Sequence, residues 1–157
     1  MVTRYIPIEL EPKVPCTGME LYDLQHTYLG DDGNPLTAYF SLPVDKDELL
    51  KIFFRHADIV RVLDEVYLST EEHGVESSGL VPYHFAYRVE NSRFWLSQSE
   101  FYRELKRDAA HYRFITGGAC LDILATVEPR FSLVRQFNRK ADPDEGSALE
   151  GEALSPR

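Results

Sequence analysis

The chain is poor in cysteine: Cys16 and Cys120 are the only two among 157 residues. Two cysteines build no disulfide framework. At this length none is needed, since a domain of similar size buries roughly two-thirds or more of its unfolded surface. Long apolar runs are also missing. No stretch approaches the roughly 18 apolar residues of a membrane helix. Arg4, Pro7, Glu9, Glu11, Pro12 and Pro15 leave the N-terminal stretch without an apolar signal core. These absences point to a soluble, cytoplasmic protein in a reducing compartment, with no membrane partner. Glycine-rich phosphate loops are absent, because Gly117-Gly118 has neither a G-x-G-x-x-G nor a G-K-[ST] beside it. No short His or Cys spacing matches a metal site, and Asp31-Asp32 and Asp45-Asp47-Glu48 lack the ligand spacing of a calcium loop. No cofactor and no metal is expected.

Positive charge is scarce too. The net charge is −9, which argues against a general phosphate-backbone binder, and no direct nucleic-acid binding is expected. The deficit is uneven. Residues 9–76 hold fifteen acids and five bases, a balance of −10, whereas residues 77–139 hold six acids and nine bases. Long-range attraction of a basic partner would therefore act on the N-terminal half.

Aromatic residues are plentiful. Nine of the nineteen fall between Val81 and Phe114. Within that stretch Val81, Tyr83, Phe85, Tyr87 and Val89 alternate with Pro82, His84, Ala86, Arg88 and Glu90, which predicts a strand. Ser97 with Glu100 then predicts a capped helix to about Ala109, with Arg103, Lys106 and Arg107 on its outer face. Earlier, 18–29 and 36–42 predict a hairpin around Gly30–Pro35, with Leu36, Ala38, Phe40 and Leu42 on one face. Asp45 and Glu48 predict a capped helix to about Ala57. A strand to about Glu71 follows, although the same segment also fits a helix running on to about Ser69. Gly117-Gly118 joins strands His111–Thr116 and Ala119–Val127, pairing Tyr112 with Ile123, Phe114 with Leu121 and Arg113 with Asp122. A third strand, Phe131–Phe137, completes a C-terminal meander. The fold expected is α+β: an antiparallel sheet of about six to eight strands with two helices packed on it. It spans 1–139 as a single globular domain, with a disordered acidic tail at 140–157.

Cys120, His111 and Asp122 are the residue types of a nucleophile with its base. The register, however, sets Cys120 and His111 four residues apart along the strands, roughly 13 Å. Asp122 is better read as the partner of Arg113. His84 and Arg88 share the polar face of the aromatic strand and would carry the chemistry if the protein is an enzyme, binding an anion or exchanging a proton. Glu71, Glu72 and His73 form a local trio, too few convergent groups for a metal.

The segment Glu20–Pro43, ELYDLQHTYLGDDGNPLTAYFSLP, resembles the hairpin of chorismate-lyase-like ligand-binding domains, in which a turn precedes a Pro-Leu strand ending in Leu-Pro. The resemblance covers 24 residues and carries no functional residue with it.

Two function classes are expected. The first is a small acidic binding protein of inhibitor, immunity or adaptor type, with no chemistry of its own. It would meet a basic protein surface through Trp95, Asp45, Asp47, Glu48, Asp64 and Glu65. The alternative is a small-molecule enzyme or ligand-binding domain with an aromatic-lined pocket between sheet and helix. The sequence is silent on oligomeric state.

Overall fold

The computed structural model describes residues 1–136 apart from Pro12, Pro15 and Cys16, with the side chain of Asp32 also left aside. The acidic tail expected at 140–157 lies outside the described residues. In chain order the elements are β1 (Thr3–Pro7), β2 (Glu20–His26), β3 (Leu36–Ser41), β4 (Glu48–Phe54), β5 (Ile59–Asp64), α1 (Glu65–Glu71), β6 (Ser77–Ser78), β7 (Ala86–Glu90), α2 (Arg93–Leu96), α3 (Glu100–Leu105), β8 (Ala110–Ile115), β9 (Ala119–Ala125) and β10 (Arg130–Arg135), with a 3-10 turn at Gly30–Asp32. They are mixed α+β and mostly sheet. None of the helices is long and apolar enough to cross a membrane.

The strands form two sheets, in the orders β5-β9-β8-β7-β1-β6 and β10-β4-β3-β2. Every pairing is antiparallel except the short parallel pair β1–β6. The main core lies between the sheets. Leu36, Ala38 and Phe40 from β3 and Leu50, Ile52 and Phe54 from β4 meet Tyr112, Phe114, Leu121, Ile123 and Ala125 from β8 and β9. Phe54 packs edge-on to Tyr112 with ring centroids 5.2 Å apart, and Phe40 packs edge-on to Phe85 at 5.3 Å.

Two of the expected hairpins are present. β2 and β3 pair around the Gly30–Pro35 connection, with a bulge between Leu21 and Asp23. β8 and β9 pair in the expected register: Tyr112 with Ile123, Arg113 with Asp122 and Phe114 with Leu121. Period-2 burial on one face leaves a strand little freedom to slip.

Other expectations need correction. The helix expected from Asp45 to about Ala57 is strand β4. Leu49 through Phe54 are all buried, because β4 lies between β3 and β10 and is covered on both faces. A strand buried on both faces loses its alternation, so its period cannot be told from that of a buried helix. Asp45 does cap, but it caps a turn: its Oδ1 accepts the Asp47 N–H at 2.9 Å. The segment after Ala57 is strand to Asp64 and helix beyond it, with the Asp64 carboxylate accepting the Val66 N–H.

The aromatic strand is shorter than its pattern. Tyr83 sits at φ 62° and is 80% exposed, so the strand begins only at Ala86. Its apolar residues also divide. Phe85 enters the main core, while Tyr87 and Val89 pack with Tyr5 in a smaller cluster.

The helix expected from Ser97 to about Ala109 is the shorter α3, capped by Ser99, and Ser97 instead ends a further short helix, α2, which Ser92 caps. Finally, β10 does not extend the β8–β9 hairpin. The free side of β9 is taken by β5, so the chain crosses at Glu128-Pro129 and pairs with β4. Phe131 and Leu133 still reach the core that holds Leu121 and Ile123, but from the facing sheet.

Candidate functional site

The face of the six-stranded sheet turned away from the main core carries a buried polar network centred on Asp122. The strand register places Asp122 opposite Arg113 on β8 and opposite Arg61 on β5. Its Oδ1 accepts from His111 Nε2 at 2.6 Å and from Arg113 Nε at 2.7 Å, and its Oδ2 accepts from Arg61 Nη2 at 2.7 Å. Arg113 Nη1 donates onward to the Tyr5 hydroxyl at 2.9 Å and to Glu72 at 3.0 Å. Arg61 grips Glu71 through two bonds of 2.6 and 3.1 Å. Glu71 and Glu72 are brought here by α1 and its C-terminal cap, so their carboxylates serve the arginines. The Phe94 ring, carried by α2, lies 4.1 Å from the Arg61 guanidinium.

Burial would by itself raise the Asp122 pKa. The hydrogen bond from His111 and the charge of Arg113 outweigh it and hold the carboxyl well below its usual range. Burial outweighs the Asp122 contact at His111 and pulls that imidazole below its ordinary value, so it is neutral at pH 7. The bonding pattern then assigns the tautomer. Nε2–H donates to Asp122, and Nδ1 accepts the Ser92 hydroxyl, 2.7 Å away. Ser92 Oγ in turn accepts the Trp95 backbone N–H at 3.0 Å, capping α2.

Ser92, His111 and Asp122 thus have the residue types and spacing of a nucleophile, base and orienting acid. Access decides against that chemistry. Ser92 and Asp122 are fully buried and His111 is 2% exposed, and the serine oxygen is spent on a helix cap. Cys120 is likewise sealed, with Sγ 4.0 Å from Asp122 Oδ1, and burial pushes its thiol up to about 12. The sequence identified the Arg113–Asp122 pair. It missed that the same carboxylate also takes His111, Arg61 and Cys120. Shared strand parity of 61, 111, 113, 120 and 122 was the signal that could have found it.

A second carboxylate, Asp58, ties α3 to the crossover between β4 and β5. It accepts from Tyr102 Oη at 3.0 Å and His56 Nε2 at 2.7 Å, with Lys106 at 3.6 Å. The His56 Nδ1 accepts the Asn34 N–H, fixing its tautomer.

A pocket of about 430 Å³ lies at the ends of β7 and β8 beside the short helices, lined by Arg88, Glu90, Trp95, Arg107 and Asp108, with the buried His111 also in its lining. A second pocket, of about 280 Å³, lies where the chain crosses between the sheets.

The residues nominated from sequence are dispersed. Arg88 and Trp95 both line the larger pocket. Trp95 is half-buried, edge-on to Tyr102 at 6.0 Å, and Arg88 lies 3.7 Å from Glu90. His84 does not share their face: it precedes β7, packs edge-on to Tyr87 at 5.3 Å, and its buried Nε2 has no hydrogen bond among the described residues. Asp45 and Asp47 lie in the turn before β4, with Asp45 3.4 Å from Arg135, and Glu48 opens β4. Asp64 and Glu65 occupy the β5–α1 junction on the other sheet. Among the described residues no group of three or more His, Cys, Asp or Glu side chains is placed to hold a metal ion.

No family model, no curated protein and no solved structure matches the chain.

Proposed function

We propose that this is a small acidic binding protein of inhibitor, immunity or adaptor type, acting in the cytoplasm by engaging a basic protein surface. The observation that carries the reading is the separation of chemistry from access. Ser92, His111, Cys120 and Asp122 are enclosed, while Asp47, Asp64 and Glu65 stand exposed. Exposed apolar side chains accompany the second group: Val66 and Tyr67 are each 69% exposed beside Glu65. A charged rim around apolar contact area is the ordinary anatomy of a protein interface. Trp95 is the aromatic anchor of this reading.

The test is a pull-down from the native host followed by a salt titration. Binding should weaken as salt rises, and reversing Asp45, Asp47, Glu48, Asp64 and Glu65 to lysine should abolish it. Binding that survives both changes rejects the reading.

The larger pocket favours a second reading, a ligand-binding or small-molecule enzyme site in which Arg88 and Arg107 orient a polar substrate against Trp95. Loss of a measurable turnover or ligand on Arg88→Ala, with the charge reversals silent, would select it over the first.

A further inference from the structure

The smaller pocket has a composition of its own. Its charged lining residues are all carboxylates: Glu9 and Glu11 from the segment after β1, and Glu128 from the crossing between β9 and β10. Its remaining walls are apolar or aromatic, with Phe131 on one side and Tyr112 at the floor. Tyr112 is only 6% exposed, and its ring is locked edge-on to Phe54. Its hydroxyl makes no hydrogen bond among the described residues and feels the charge of Glu128, which lines the same cavity. Burial and the nearby Glu128 carboxylate raise its pKa, so it remains a neutral donor and acceptor. Arg88, opposite Tyr112 on β7, lies within electrostatic reach but is paired with Glu90.

Three carboxylates over an aromatic floor suit a cation that also carries an apolar stem. A compact metal ion is a poor fit, since these side chains do not converge as ligands. A guanidinium or ammonium group on an alkyl chain meets every wall. Its charge faces the glutamates, its stem lies on Phe131 and Pro129, and one N–H reaches the Tyr112 oxygen. We propose that this pocket is a binding site for an alkyl guanidinium or ammonium group. The inference rests on the reading of a basic partner and names where one arginine or lysine side chain of that partner would seat.

The test uses n-butylguanidinium chloride as probe and n-butylurea as its neutral isostere, followed by amide and aromatic NMR shifts of the full chain. The cation should shift Tyr112, Phe131 and Glu128 while n-butylurea does not. Glu9→Gln with Glu128→Gln should weaken the cation at least about tenfold, with the rest of the spectrum unchanged. Tyr112→Phe should weaken it less, since one neutral hydrogen bond is lost. A Gly-Arg-Gly peptide binding as tightly as the free probe identifies a side chain presented by a protein; its exclusion identifies a free small cation. Equal binding of n-butylurea, or no effect of the double glutamine variant, overturns the site. If partner binding is lost on the Asp64 and Glu65 reversals while n-butylguanidinium fails to bind, the partner reading stands and this pocket does not.

Discussion

His111 Nε2 lies 2.6 Å from Asp122 Oδ1, and both side chains are closed to solvent. Because Asp122 is also the acceptor for Arg113 and Arg61, its carboxylate on β9 compensates charge on both neighbouring strands, β8 and β5. Asp122→Asn keeps the shape and removes the charge, leaving Arg113 buried without its closest counter-ion. Removing one partner of a buried pair costs about 3–5 kcal/mol. Urea unfolding should show a loss of that order. A loss below about 1 kcal/mol, the worth of an exposed ion pair, would mean that the network is not sealed as described.

The same contacts set a pH dependence with a definite sign. The native His111 pKa is lowered, so as pH falls below about 6.5 the unfolded chain takes up a proton that the native one refuses. Stability therefore declines from about pH 6.5 down through the lowered native value. Asp122 acts in the same direction further down. Its native pKa is depressed, so stability present above about pH 4 is lost as pH falls through the native value. Unfolding free energies measured at pH 7, 5.5 and 4 should fall monotonically, and His111→Gln should flatten the upper part of that fall. Parallel curves for wild type and variant would exclude His111 as the source.

The buried thiol gives a kinetic prediction. In a Cys16→Ser background the remaining Cys120 is fully buried, with its thiol pushed up to about 12. Thiolate is the reactive form, so a disulfide reagent at pH 8 should label the native protein only as fast as it opens, and the urea-unfolded protein at once. Rapid labelling of the native state would place Cys120 at the surface.

What the sequence made legible follows from how locally each feature is specified. The β8–β9 register was readable because a two-residue Gly-Gly turn fixes it and apolar faces agree with it. The hairpin of β2 and β3 was readable from the turn-forming residues of Gly30–Pro35 and the alternation of β3. β4 was not, because burial on both faces erased its period. The partition into two sheets was not, because β5 claims the side of β9 that β10 would otherwise take, and such a pairing leaves no local mark. The candidate site was half legible. Arg113 and Asp122 followed from register, and Arg88 and Trp95 were singled out by type. His84 was misplaced because Tyr83 leaves the strand through a positive φ, a conformation that alternation does not encode.

A backbone contact in the loop before β7 supplies the last prediction. Gly79 has φ +91°, and a Cβ built there would lie 1.9 Å from the Tyr5 carbonyl oxygen. That oxygen belongs to β1, which holds β6 and β7 together and whose Tyr5 hydroxyl receives the Arg113 bond. Gly79→Ala therefore meets two penalties, a disfavoured φ and a clash with backbone that cannot rotate away. The expected cost is about 2 kcal/mol or more, above the median for a point substitution. Gly74→Ala is the control, since it has φ +75° and nothing within 4 Å. It should cost only the conformational part, about 1 kcal/mol. Thermal unfolding of the two variants compares them directly. Equal losses would show that the approach of Gly79 to Tyr5 carries no strain, and that β1 is free to shift away from it.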